Sequence, residues 1–207
     1  FWGTGNPGAA TLGQSNVYPS EDTPSGSGYA ACLETRFVGI GTLGKLAAGS
    51  VFAGYFVRTD GTNGILSMGR PFAERPTRLR GRFKYTGATI NYADKASEFQ
   101  AMLGEPDTCI VWMALVDSAE PIEIRTNPAN RALFDPDADY CIAYGKMEQA
   151  QTVSSYIPFD FTLEYKSTSR VPRYILVTAS SSKYGDYFTG GTGAVLYIDD
   201  LVLEYDY

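Results

Sequence analysis

YILVTASSSKYGDYFTGGTGAVLYIDDLVLEYDY, residues 174–207, sets two apolar runs, Tyr174 to Ala179 and Ala194 to Leu203, on either side of a loop of Ser, Gly, Lys, Asp and aromatic residues. Strands end at Ser/Gly clusters, and long ordered loops in compact domains are uncommon unless they carry function, so this pattern predicts two buried strands joined by a functional excursion. Within the loop, Tyr184, Tyr187 and Phe188 put large rings where a solvated turn carries small polar side chains, and Asp186 stands among them. Rings beside a carboxylate suit the apolar faces and hydroxyl edges of a sugar.

Outward from this stretch the same strand grammar recurs. Thr108–Asp117 (TCIVWMALVD) is apolar on both faces, which predicts a central strand covered on both sides, with Trp112 in the core. Thr77–Tyr85 (TRLRGRFKY) has period two, with Arg78, Arg80, Arg82 and Lys84 on one face and Leu79, Gly81, Phe83 and Tyr85 on the other. Phe159–Lys166 (FDFTLEYK) mirrors it, so if the two strands are neighbours Asp160 and Glu164 can pair with the arginines at ~0.2–1 kcal/mol each. The other reading of the ladder is a cationic strip, Arg80 included, that fits the carboxylate or sulfate of an acidic glycan. Ala30–Val38, Ser50–Arg58 and Tyr140–Gln149 read as further strands, and Lys95–Leu103 allows two helical turns. Thr59–Arg75, with Asp60-Gly61 and Asn63-Gly64, reads as a long turn-dense loop placed for recognition. With 15 Tyr, 11 Phe and 22 Gly in 207 residues, strands and turns dominate. Some eight or nine strands fit one all-β domain over residues 1–207, an antiparallel β-sandwich of jelly-roll type.

Several function classes fall away. Seventeen basic against 23 acidic residues leave a net charge of −6, a field that repels phosphate backbones and argues against nucleic acid as a partner. No stretch approaches the roughly 20 apolar residues of a membrane span. Histidine is absent, which removes Ser-His-Asp and Cys-His catalysis and His-based metal sites. Carboxylates, Tyr, Lys, Arg or a hard metal ion remain, as in a glycosidase with paired acids or a lyase using tyrosine and arginine. Cys32, Cys109 and Cys141 sit in apolar runs without CxxC spacing and read as buried free thiols. Gly3, Gly5 and Gly8 have the GxGxxG spacing, but only two residues precede them and Pro7 interrupts, so a dinucleotide fingerprint is rejected. Asp135, Asp137 and Asp139 begin like a calcium loop, yet Tyr140 stands at its glycine and Lys146 at its glutamate, so the run reads as a turn. Trp2 reads as a core residue, with the lining of a site as the alternative.

The C-terminal stretch, together with TDGTNGILSMGRPF (Thr59–Phe72), RFKY (Arg82–Tyr85) and DPDADYCIAYG (Asp135–Gly145), resembles the putative carbohydrate metabolism domain of Bacteroidetes surface proteins over most of the chain. The resemblance implies a β-jelly-roll, glycan-related biology and a place at the extracellular or outer-membrane surface, as the C-terminal module of a longer protein; it implies no particular reaction. LYIDDL is similar to the last strand of jelly-roll carbohydrate-binding modules, in which the first aspartate after the isoleucine helps hold a structural Ca2+. That role falls on Asp199, with calcium the one cofactor in view; the other reading is an aspartate that bonds backbone or faces the surface. The expected function is non-catalytic glycan binding, with Tyr184 and Tyr187 stacking on sugars and Asp186 and Arg70 bonding hydroxyls. Asp60 and Arg80 join them as carbohydrate-binding candidates. A glycoside hydrolase or polysaccharide lyase and an inert spacer are the alternatives. Lys183–Phe188 is expected at the rim of a concave surface with part of the Thr59–Phe72 loop.

Overall fold

A computed structural model describes residues 1–11, 13–40 and 43–206; Tyr207, which ends the C-terminal stretch, lies outside the described residues. The two apolar runs of that stretch part company. Tyr174–Ser180 lies inside a nine-stranded sheet and Val195–Glu204 inside a five-stranded one, so the loop between them crosses from one layer of a β-sandwich to the other. The large sheet runs Ile122–Arg125, Asn63–Met68, Ser50–Asp60, Tyr174–Ser180, Cys109–Val116, Cys141–Gln149, Glu164–Tyr165, with Trp2–Thr4 and Arg70–Pro71 attached at its side. The small sheet runs Val153–Thr162, Arg78–Thr86, Val195–Glu204, Ala30–Glu34, Val17–Ser20. The pairings in both are antiparallel, as expected of a jelly-roll.

Strand alternation explains two cores. Val111, Met113 and Leu115 turn inward with Ile175, Val177, Leu196, Ile198 and Phe83 to fill the space between the sheets. Ala114 and Val116 turn outward and join Phe52, Met68, Ile124 and Leu176 in a second apolar cluster on the outer face of the large sheet. Cys109–Val116 is therefore covered on both sides. All three cysteines are buried and free, and burial pushes the Cys109 thiol up to about 12, out of the range where it could act as a nucleophile.

The aspartates of LYIDDL avoid the core by a β-bulge. Leu196 and Ile198 point inward, so strict alternation would bring Asp200 inward next. One extra residue between Asp199 and Val202 shifts the register against Arg82 and Arg80, Asp200 adopts φ 54°, and Leu201 and Leu203 return to the core instead.

Other expectations are corrected. Ala30–Val38 is broken at buried Thr35 into Ala30–Glu34 and Arg36–Ile40, which belong to different sheets. Asn63–Met68 is a strand, so Asp60-Gly61 makes the turn of a hairpin with Ser50–Asp60 rather than part of a long loop. Lys95–Leu103 yields only the 3-10 turn Gln100–Met102. Trp2 is 47% exposed, because its short strand lies at the side of the sheet. A strand, Trp2–Thr4, and a six-residue helix, Asn6–Thr11, do flank Gly5, but the strand pairs antiparallel with Ser50–Asp60, so no βαβ unit exists for a dinucleotide.

Candidate functional site

The crossover loop is held by buried hydroxyls. Ser181 and Ser182 place their Oγ atoms 2.7 and 2.6 Å from Thr35 Oγ1. Ser182 Oγ donates to Asp107 Oδ2 at 2.5 Å, Gly191 N donates to the same oxygen at 2.6 Å, and Thr108 N donates to Oδ1 at 2.7 Å. Asp107 is fully buried, and desolvation raises its pKa although these three bonds pull it down. Gly185 packs so closely that a Cβ there would lie 2.4 Å from Ala48 Cβ, and Phe188 takes the left-handed conformation at φ 54°. The loop is thus tied at its base and sharply bent at its tip.

Beside it opens a cleft of about 180 Å³ on the outer face of the large sheet. Its apolar lining includes Trp112, Phe56, Leu66 and Phe188, and its polar lining includes Lys45, Asn63, Lys183 and Asp186. Trp112 is half-buried and stacks on Phe134 with ring centroids 4.9 Å apart at 8°, which corrects the expectation of a core residue. Lys45 Nζ donates to Asn63 Oδ1 at 2.7 Å and lies 4.1 Å from the centre of the Phe188 ring. Desolvation lowers its pKa and the Arg131 charge adds to that, while Asp94, 3.9 Å away, opposes it.

Asp186 is exposed at the cleft, and no hydrogen-bond donor reaches its carboxylate among the described residues. Protein packed around it nevertheless strips away enough water to raise its pKa, against the pull of Arg131. Arg131 itself lies 4.5 Å from the centre of the Tyr187 ring, and its buried Nε and Nη2 have no hydrogen-bond acceptor. Tyr187 meets Phe99 edge-on at 4.7 Å and Tyr184 stacks on Phe99 at 4.1 Å, so the two tyrosines buttress the loop and neither lines the cleft.

The remaining candidates lie apart. Asp60 Oδ2 accepts a 2.8 Å bond from Asn127 Nδ2 at the hairpin turn, whose Thr59, Gly61 and Asn63 do line the cleft. Arg70 is turned to backbone, donating at 2.7 Å to Phe1 O and to Gly54 O. Arg80 sits on the outer face of the small sheet and pairs with Glu204 at 2.5 Å; Arg78 pairs with Asp160 at 3.4 Å, Arg82 with Asp200 at 3.8 Å, and Lys84 with Asp22. The two strands are neighbours as expected, but Glu164 belongs to the large sheet and takes no part. Asp199 Oδ1 accepts the Asp200 N–H at 2.8 Å. No third Asp, Glu, Cys or His joins these two among the described residues.

Trp112, Phe56, Lys45 and Arg131 were not singled out as site residues in the sequence. The one available signal was parity: Trp112 shares the strand face of Ile110 and so lines up with Ser180 and Ser182 at the loop base.

Comparison with known proteins bears on the fold. A solved structure titled a putative glycoside hydrolase from Bacteroides thetaiotaomicron superposes with a TM-score of 0.74 at 20% identity, covering 100% of this chain and 63% of that one. The chain thus spans less than two thirds of that relative. A second, titled a putative glycoside hydrolase from Bacteroides vulgatus, gives 0.71 at 21% identity over 98% of this chain and 85% of that one. No curated protein sequence matches. Residues 1–204 match the family described as "Putative carbohydrate metabolism domain", and the chain belongs to that family.

Proposed function

We propose that the cleft beside the crossover loop binds a saccharide without cleaving it. The observation that carries this reading is the combination in one cleft of an accessible indole, Trp112, with hydrogen-bonding groups of both kinds, Lys45 and Asn63 against Asp186. Rings cover the apolar face of a sugar and the polar groups meet its hydroxyls. About 180 Å³ is below the roughly 300–1,000 Å³ of a drug-sized site, which suits one or two sugar units and an affinity in the millimolar to micromolar range, about −4 to −8 kcal/mol. No described helix is long and apolar enough to cross a membrane, and a carbohydrate-related family with Bacteroides structural neighbours is in keeping with a role at the bacterial surface.

Hydrolysis is the second reading, favoured by Asp186. An unpaired carboxylate with a raised pKa is the property of a general acid, which would protonate the leaving glycosidic oxygen while a second carboxylate acts from the opposite face. Calorimetric titration with neutral and uronic oligosaccharides, with release of reducing ends followed on each ligand, separates the two. Binding lost in Trp112→Ala without any release supports the first reading; release abolished in Asp186→Asn with binding retained supports the second. Unchanged affinity in Trp112→Ala removes the cleft from the binding surface.

A further inference from the structure

The bulge that keeps Asp200 out of the core sets it beside Asp199 at a second concavity. Both line a groove of about 720 Å³ together with Trp2, Tyr18 and Tyr29, which are 47%, 39% and 65% exposed. This groove and the cleft share a wall. Thr4 and Asn6 face the groove and Gly5 and Gly8 face the cleft; Asn16 lines the cleft and Val17 the groove. Asn6 ties the wall together, donating through Nδ2 to Val17 O at 2.7 Å and accepting from the N–H groups of Asn16 and Val17 at 3.1 and 3.0 Å.

We propose that this groove is a second saccharide site, selective for uncharged chains. Three exposed rings in one groove supply stacking platforms, and Asp199 and Asp200 supply acceptors for hydroxyl donors. No lysine or arginine lines it, and of its two carboxylates only Asp200 has a cation against it, Arg82 at 3.8 Å, so a uronate or sulfate would meet net negative charge. The volume lies within the range of a small-molecule site and holds more than the cleft does, so a chain of several sugars is the matching occupant. The groove goes beyond the cleft reading, because it rests on different residues.

The chain has two tryptophans, and each lines one of the two concavities. Single-tryptophan proteins therefore report on the sites separately. In Trp112→Phe, the Trp2 emission is titrated with cellohexaose, xylohexaose, mannohexaose and hexagalacturonate; in Trp2→Phe, the Trp112 emission is titrated with the same four. The expected result is a saturable change of Trp2 emission with at least one neutral hexasaccharide and none with hexagalacturonate, weakened about two- to tenfold by Tyr29→Ala. Tyr29 is exposed enough that its truncation leaves the fold intact, which the melting curve checks. Trp2 emission silent to all four sugars, or answering only the anionic one, overturns the second site whatever Trp112 does. Silence of Trp112 alone overturns the cleft and leaves the groove standing.

Discussion

Asp186 is exposed at the cleft and yet has its pKa raised by the protein around it, with Arg131 opposing. A folded-state pKa above the unfolded one means the native state holds the proton more tightly. The stability this group lends is fully present below the unfolded value of about 3.9 and is lost as pH rises through the folded value. Asp186→Asn removes that titration, so the variant should melt above the parent at pH 7 and level with it at pH 3; a variant that melts lower at pH 7 would show that Arg131 outweighs desolvation. Asp107 also has a raised pKa but has the opposite worth as a side chain, because three donors depend on it. Asp107→Ala would leave the Thr108 and Gly191 N–H groups unpaired in a buried site and reduce the Ser182 hydroxyl to its contact with Thr35, at a cost of about 3 kcal/mol or more. At roughly 2–4 °C per kcal/mol for a chain of this size, the melting temperature should fall by about 6–12 °C, readable by calorimetry.

Among the elements, the strand Val195–Glu204 shows what alternation alone can and cannot specify. Its bulge inserts one residue between two in-register halves, so deleting Asp200 would leave Leu196, Ile198, Leu201 and Leu203 all on the inner face of a regular strand. The deletion variant is expected to fold with a circular dichroism spectrum like the parent's; a collapse of the spectrum would mean that the bulge is needed for folding. The pattern of apolar runs was enough to place both C-terminal strands, the central strand Cys109–Val116 and the pairing of Arg78–Thr86 with the first half of Phe159–Lys166, because each rests on a local period that burial enforces. Which sheet a strand joins was not legible. Ala30–Val38 reads as one alternating run, and only the burial of Thr35 among the Ser181 and Ser182 hydroxyls divides it between two sheets. The site divided in the same way. Asp186 and the hairpin tip by Asp60 could be found from loop chemistry, but Lys45 and Trp112 come from separate strands that only the tertiary fold brings to one cleft. Tyr184 and Tyr187 stand outside the cleft because Phe99, more than 80 residues away in sequence, takes their ring faces, a contact no local pattern encodes.

For the whole molecule, charge decides what Arg80 can do. The ladder Arg78, Arg80, Arg82, Lys84 gives the outer face of the small sheet a row of cations, but each has a carboxylate against it: Asp160, Glu204, Asp200 and Asp22. With a net charge of −6 spread over the chain, an acidic polysaccharide approaching this face meets a neutralised ladder inside a repulsive global field. Half-exposed pairs of this kind contribute only ~0.2–1 kcal/mol each, and salt screens them over about 10 Å. Arg80→Ala is therefore expected to lower the stability by less than about 1 kcal/mol in denaturant titration and to leave saccharide affinity within error at both low and high salt. Affinity for a uronic polysaccharide that falls steeply between 50 and 300 mM salt in the parent, and loses that slope in Arg80→Ala, would return the ladder to the binding surface and place its carboxylates as competitors that the ligand displaces.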